Sequence, residues 1–306
     1  MDNIGGIIVA AGNTSYKVSP LLKIGSISII KRLVLTFQQA GISPIVVITG
    51  FQSVEIEQHL VDYGVVFLRN EKFENSDKLY SAKIGLDFLK DKCKKVVFTP
   101  VTVPMYNSNT IKNLIEMDKE LVIPSYQGRT GHPLLLDCSL IPKILAYDGK
   151  EGMRGAIKEL ITEKDYLEVN DEGILLDVER IERIDELVHL HNEELLHPFI
   201  RISIEKEFAF FNSRAKLLLI LIEETQSVKG ACKYMALSCG KAWSMINEME
   251  EALGYSVVER RHGGRRGGKT VLSQKGKEFL KKYEKYEKDI KEYAVSHFYN
   301  IFQESR

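Results

Sequence analysis

Four cysteines, Cys93, Cys138, Cys232 and Cys239, are scattered through 306 residues, and none sits in a C-x-x-C pair. That scarcity argues against a disulfide framework and a thiolate zinc site, and leaves free thiols suited to a reducing compartment. No apolar run reaches the roughly 20 residues that a bilayer-spanning helix needs. The longest candidate, 217–222, reads as a piece of core helix. A basic start followed by an apolar stretch, the mark of a signal peptide, is missing as well. The expected location is therefore cytoplasmic, with no membrane partner. Net charge is also absent: 42 Lys plus Arg balance 42 Asp plus Glu. Only the distribution of charge along the chain can then speak of partners. No internal repeat and no low-complexity tract is present.

What is there is enough apolar material, 44% of residues, for two domains of ordinary size. Up to about residue 188 the chain alternates short β-rich runs with helical patterns. Strands are expected at 6–11, 45–49, 65–68, 96–99, 121–124, 134–136, 166–169 and 174–178. Helices are expected at 29–40, 79–89, 109–118 (with Ser108 as N-cap), 140–146, 153–162 and 179–191. Such alternation predicts an α/β domain, Rossmann-like, with a mostly parallel sheet covered on both faces. The texture then changes. The boundaries read as a first domain over 1–190, a polar linker over 191–201 and a mainly α domain over 202–306, opening with an edge strand at 202–208.

In the second domain, helix 214–224 carries an apolar face of Leu217, Leu218, Leu221 and Ile222. Ser227 caps a helix over 228–236, a tight turn falls at Leu237 and Ser238, and a third helix runs over 239–253 to stop at Gly254. This is helix-turn-helix order. Two short strands follow around a Gly- and Arg-rich tip, which makes a wing. Arg260, Arg261, Arg265, Arg266 and Lys269 crowd together with only Glu259 opposing them. A cationic hairpin of this kind neutralises phosphates or enters a narrow minor groove, and Ser238 and Lys241 begin the helix whose first turn would meet base edges. The alternative is a solvated basic loop on an unrelated helical domain; the order of helices and wing favours double-stranded DNA as partner. Trp243 reads as core, beside Ile246 and Met249. Gly263-x-x-x-x-Gly268-Lys269-Thr270 has P-loop spacing, but a P-loop needs a helix starting at the Lys and Thr, and Val271-Leu272 continue as strand. In the last helix, Phe279, Tyr283, Tyr286, Ile290, Tyr293 and His297 follow 4-3-4-3-4 spacing. That seam serves either a homodimer or packing on the helix's own domain.

These motifs resemble the DNA-binding domain of molybdate-responsive regulators, relatives of the LysR-type winged helix-turn-helix. The matching stretches are 218–225, Ser227-Val228-Lys229-Gly230-Ala231-Cys232, Ser238-x-x-Lys241-Ala242-Trp243, Val257-Val258-Glu259-Arg260, 263–268, and Leu272-Ser273-x-x-Gly276. The resemblance implies a dimer on a palindromic operator.

In the first domain, the strand ending Ala10-Ala11-Gly12 puts small residues and backbone amides at its carboxyl end, where open α/β sheets bind ligands. Together with 20–25, Phe98-Thr99-Pro100-Val101-x-Val103-Pro104, Gly128-Arg129-x-Gly131-His132-Pro133 and 173–178, it resembles nucleotidyltransferases of the molybdenum-cofactor cytidylyl- and guanylyltransferase type. The resemblance implies a nucleotide site at Ala10, Ala11, Gly12 and Lys23, and a second-substrate loop at Gly131, His132 and Pro133. It also implies Mg²⁺ acting with CTP or GTP. Where that family has its basic residue, Met-Gly and triphosphate-gripping Lys, this chain has Tyr16, Lys17-Val18 and Leu21. Its first metal-binding Asp falls on Thr102, and the second on Glu179. His132 either contacts ligand or fixes the loop, and Asp177 reads as a supporting or turn residue.

The two resemblances together imply a DNA-binding transcriptional regulator with a degenerate, nucleotidyltransferase-like sensor domain for a nucleotide or pterin ligand, linked to molybdenum cofactor metabolism. The alternative is an active NTP transferase carrying a DNA-binding tail. A third reading gives the front domain a purely architectural role. No residue is assigned a catalytic role.

Overall fold

The computed structural model describes residues 3–12, 18–149, 151–179, 188, 191–192, 196, 198–261 and 269–302. The chain divides into two compact units: Met1–Leu60 with Val65–Leu196, and Val61–Gly64 with His197–Arg306.

The first unit runs β1 (Ile4–Ala10), β2 (Lys23–Ile24), β3 (Ile27–Ser28), α1 (Ile29–Gln39), β4 (Ile45–Thr49), α2 (Ser53–His59), β5 (Val66–Arg69) and α3 (Lys78–Leu89). It continues with β6 (Lys95–Pro100), α4 (Ser108–Glu116), β7 (Leu121–Tyr126), β8 (Arg129–Thr130), β9 (Leu134–Asp137), α5 (Ile141–Ala146), α6 (Gly152–Leu160) and β10 (Asp165–Glu168). Its sheet has the order β10-β7-β9-β6-β1-β4-β5, with β8 added to β7. The pairs β1–β4, β1–β6, β4–β5 and β7–β10 are parallel. β9 is antiparallel to both β6 and β7, so the Rossmann-like α/β sheet is mixed but mostly parallel.

β1 is apolar throughout because both its faces are covered. A Cβ on Gly6 would lie 2.5 Å from the Phe37 ring of α1, and one on Gly5 would lie 2.8 Å from Leu89 of α3. The two glycines let a helix close down on each face of the central strand. α1 starts where Ser28 accepts the Lys31 N–H, the usual saving of an orphan helix donor.

Two expectations for this unit need correction. The N-cap of α4 is Asn107, which accepts the Thr110 N–H, and not Ser108. Residues 174–178 form no strand: Glu172–Leu175 is a 3₁₀ turn. Its cause is Asp171, whose carboxylate accepts from the Asn107 and Gly173 N–H groups and the Thr110 hydroxyl. Asp177 then accepts the Glu179 N–H. Two acidic side chains folding back on the backbone leave no extended run. The helix expected over 179–191 lies largely outside the described residues; Val188, His191 and Asn192 are helical.

The second unit holds β11 (Ile204–Glu205), β12 (Ala209–Phe211), α7 (Ser213–Thr225), α8 (Val228–Lys233), α9 (Cys239–Leu253), β13 (Val258–Arg261), β14 (Lys269–Leu272) and α10 (Gln274–Phe302). The single edge strand expected at 202–208 is a hairpin of β11 and β12, turned at the charged Glu205-Lys206-Glu207 run. It brings Phe211 edge-on to Phe279 and Tyr283 at 4.9 and 4.7 Å. Asn212, Ser227 and Ser238 cap α7, α8 and α9. α8 ends at Lys233, short of the expected 236, because Ala236 takes a positive φ in the turn. Gly254, at φ +73°, ends α9, as left-handed glycines do. Leu218, Ile222, Ala231, Ala242, Ile246 and Met249 form the core. β13 and β14 pair antiparallel, with Arg261 opposite Lys269. Lys269 and Thr270 thus begin a strand rather than a helix, which is incompatible with a P-loop.

The aromatic seam of α10 divides in two. Tyr283 is buried and its hydroxyl donates to the Ile202 carbonyl, and Glu287 is buried between Lys216 and Lys291. Further along, Tyr293 is 68% exposed and stacks on His297. Phe279 and Tyr283 therefore belong to the intradomain core, whereas Tyr286 is 53% exposed. Among the described residues no helix is long and apolar enough to cross a membrane.

Candidate functional site

In the first unit the carboxyl ends of β1 and β4 come together. Ala10 and Ala11 are buried, the Gly12 carbonyl accepts the Phe51 N–H, and a Cβ on Gly50 would lie 3.1 Å from the Ala11 Cα. Only small residues fit at this approach. Residues 13–17, with Tyr16 and Lys17, lie outside the described residues. Ser19 organises the next loop: its hydroxyl donates to Gln52 and accepts the Leu21 N–H. Lys23 is exposed on the β2–β3 hairpin. There it shares a field with His59, whose pKa is lowered by burial, by Lys31 and by Lys23.

A second cluster gathers at the end of β6. Val178 donates to the Thr102 carbonyl at 2.8 Å, which holds the 177–179 turn against the buried Thr102. His132 donates its backbone N–H to Ile174 at 3.0 Å and tilts against Phe98, 6.3 Å between centroids. Its Nδ1 is buried with no hydrogen-bond partner. Burial pushes the imidazole down to about 4; Asp177 opposes the shift and Lys78 adds to it. Lys78, first residue of α3 after its N-cap Asp77, stands 3.9 Å from the Glu179 carboxylate.

The structure thus brings His132, Asp177 and Glu179 together, and adds Lys78. Gly131 and Pro133 flank His132 in the same loop, and a Cβ on Gly131 would meet the Ile174 carbonyl at 2.2 Å. Lys23 is not among the groups that act on His132. Sequence reasoning passes over Lys78; its one signal is its position as the first helical residue after a capping Asp in a strand-loop-helix unit.

A divalent metal is poorly served here. Thr102 offers no charge where a carboxylate is wanted, and Glu179 already faces an ammonium. Among the described residues no group of three His, Cys, Asp or Glu is placed to hold a metal ion. The tightness of this turn is testable. A Cβ on Gly173 would sit 2.0 Å from the Met105 carbonyl, and backbone gives way less readily than a side chain. Gly173→Ala is expected to cost about 2–3 kcal/mol, read by urea unfolding.

In the second unit, Ser238 and Lys241 are exposed at the start of α9, and the Ser238 oxygen accepts the Lys241 N–H. The hydroxyl proton of Ser238 stays available to donate. Arg260 and Lys269 are exposed. Trp243 is only half-buried, contrary to its reading as core: its ring carries the Arg260 guanidinium 4.2 Å from the centroid. An indole beneath a cation ties the hairpin to α9. Backbone pairing places Arg261 in β13, whereas Arg265 and Arg266 lie outside the described residues.

Comparisons with known proteins bear on the first unit. A family profile described as MobA-like NTP transferase domain matches residues 6–164. The 2-phospho-L-lactate guanylyltransferase of Methanobrevibacter smithii is 26% identical over 149 residues, 47% of this chain and 65% of that protein. The matched region thus spans just under two thirds of the relative's length. A solved nucleotidyl transferase from Methanothermobacter is 18% identical with a TM-score of 0.53, covering 63% of this chain and 97% of that one, a likeness of fold. With its profile match spanning just over half of its length, the chain belongs to the MobA-like NTP transferase domain family.

Proposed function

We propose that this chain is a transcriptional regulator in which a MobA-like domain (1–190) binds a nucleotide or pterin without transferring it, and a winged helix-turn-helix domain (202–306), joined by the 191–201 linker, binds double-stranded DNA. The observation that carries the reading is Arg260 over Trp243, which sets a cationic hairpin beside the exposed first turn of α9. Helix and wing are then presented as one surface, as winged readers present them. A homodimer fits the distal half of α10, where Tyr293, Ile301 and Phe302 are exposed. A cytoplasmic protein linked to molybdenum cofactor metabolism is the setting that both resemblances support.

Loss of transfer chemistry follows from Thr102 and from the Lys78–Glu179 pair, which leave little anionic oxygen for a metal. Calorimetric titration of the full chain with CTP and with GTP in Mg²⁺ tests this. Saturable binding without pyrophosphate release is expected. Turnover would replace this reading with a second one, an active transferase carrying a DNA-binding tail, which family membership and the guanylyltransferase relative favour. Absence of binding to both nucleotides would leave the pterin or an architectural front domain.

A further inference from the structure

We propose that Cys232 and Cys239 are a thiol pair that closes to a disulfide when a hydroperoxide reaches the helix-turn-helix, and that the bond weakens DNA binding by displacing the first turn of α9. The effect on DNA rests on the reading of this unit as a DNA binder; the bond itself does not. Cys232 lies in the last turn of α8 and is buried, and Cys239 is the first residue of α9 and is exposed. The chain between them folds back on Cys232. The Met235 and Leu237 N–H groups both donate to the Cys232 carbonyl, each at 3.3 Å, and Ala236 between them takes φ +48°. A left-handed residue followed by a donor to a carbonyl of the last helical turn is a common helix closure. Ser238 then caps α9 by accepting the Lys241 N–H, which seats Cys239 directly after the turn. The side chains meet: the two thiols share a hydrogen bond.

The two thiols are unequal. Burial pushes the Cys232 thiol up, and its bond to Cys239 adds to the shift, so Cys232 stays protonated. Cys239 is the one that solvent reaches. Its sulfur attacks one oxygen of hydrogen peroxide; the O–O bond breaks, water leaves, and Cys239 becomes a sulfenic acid. The Cys232 sulfur then attacks the Cys239 sulfur. Its proton leaves with the sulfenic hydroxyl as a second water, and the S–S bond forms. Each sulfur loses one electron and each peroxide oxygen gains one. A disulfide holds its sulfurs only about 2.05 Å apart, well inside hydrogen-bonding distance. Closing it therefore draws the start of α9 toward α8, and Ser238 and Lys241 move with that turn. Cys93 and Cys138 are neighbours as well, but both are half-buried, so the exposed thiol of Cys239 meets the oxidant first.

The test is treatment of the full chain with hydrogen peroxide, then tryptic peptide mapping without reduction. Cleavage after Lys229, Lys233 and Lys241 puts Cys232 and Cys239 on separate peptides. A species joining 230–233 to 234–241 is expected, and dithiothreitol is expected to remove it. In Cys232→Ala the resolving thiol is gone, so a cyclic diketone that traps sulfenic acids is expected to mark Cys239. Binding to a fluorescein-labelled duplex of mixed sequence, at about 0.1 M salt, is expected to weaken at least about fivefold on oxidation, the order of one lost phosphate contact. Dithiothreitol is expected to restore it, and Cys232→Ala and Cys239→Ser are expected to lose the response to peroxide. A linkage of Cys93 to Cys138 alone, Cys239 overoxidised while Cys232 stays a thiol, or a response that persists in Cys239→Ser overturns the proposal. A linked chain that binds duplex like the reduced one overturns its regulatory half. Absence of duplex binding by the reduced chain overturns the DNA reading and that half with it, and the peptide map still decides the bond. Unchanged circular dichroism and thermal midpoint establish that each variant is folded.

Discussion

Arg260→Ala/Arg265→Ala/Arg266→Ala is expected to bind duplex DNA about two to three orders of magnitude more weakly than the parent at 0.1 M salt. The plot of log affinity against log salt is expected to lose about 2.7 from its slope. Both numbers come from one source: each phosphate neutralised releases counterions and contributes roughly 0.9 to the slope on B-form DNA. The loss should be nearly uniform across sequences, because phosphate contacts position a protein without reading bases. Arg260 is docked on Trp243. Arg260→Lys keeps the charge but loses the planar guanidinium that stacks on an indole. It should therefore keep most of the salt slope while loosening the hairpin from α9. Fluorescence anisotropy on a labelled duplex, at several salt concentrations, reads all of this. An unchanged slope in the triple variant would mean that these arginines do not contact DNA phosphates.

Acid is expected to destabilise the first unit as pH falls from 7 to 5, through two buried histidines. His191 is buried, its Nδ1 lies 2.7 Å from an Arg32 guanidinium nitrogen and its Nε2 lies 2.9 Å from the Tyr106 carbonyl. Arginine only donates, so Nδ1 accepts and Nε2 carries the proton. Burial pushes this imidazole down to about 4; the bond to Tyr106 works against the shift and Arg32 adds to it. His132 is likewise pushed to about 4. Both pKa values lie below the unfolded value near 6.5, so the unfolded chain binds more protons. The stability these neutral rings provide is present above about pH 6.5 and is lost as pH falls toward 4. The slope is about 1.4 kcal/mol per pH unit for each ring, or about 4 kcal/mol for the two together by pH 5. His59, lowered as well, acts in the same direction. Asp171, whose carboxyl is raised by burial, acts in the opposite one. Urea unfolding followed by circular dichroism from pH 7 to 5 reads the slope. His191→Gln keeps an acceptor for Arg32 and a donor for Tyr106 but does not titrate, and it should remove about half. A slope unchanged in that variant would show that His191 does not carry the effect.

The α/β organisation was legible because its signals are local. β1 is apolar end to end, Ser28 precedes a helical pattern, and Gly254 follows one; each states its backbone preference within a few residues. The helix-turn-helix order and the basic hairpin were legible for the same reason, as were Ala10, Ala11 and Gly12 at a strand's carboxyl end. The misreadings share the opposite cause. Ile174 to Val178 looks like strand by composition, yet Asp171 is held by Asn107 and Thr110 about 60 residues away, and that anchoring bends the segment. Trp243 looks like core by its helical neighbours, but a guanidinium 17 residues on lies over it. The α10 seam has one period and two environments, since Phe279 and Tyr283 meet Phe211 while Tyr286 and Tyr293 are exposed.

By itself, then, the sequence determined the alternation of elements, the helix caps and stops, the clustering of cation in the hairpin, and the absence of the acidic residue at position 102. These depend on near neighbours and on which side chains are present. Tertiary structure alone decided that β9 runs antiparallel inside the sheet, that Lys78 faces Glu179 across about 100 residues of chain, and that the Nδ1 of His132 is buried without a partner. Charge pairing and desolvation depend on distance through space, and that distance exists only once the sheet has brought the carboxyl ends of its strands together.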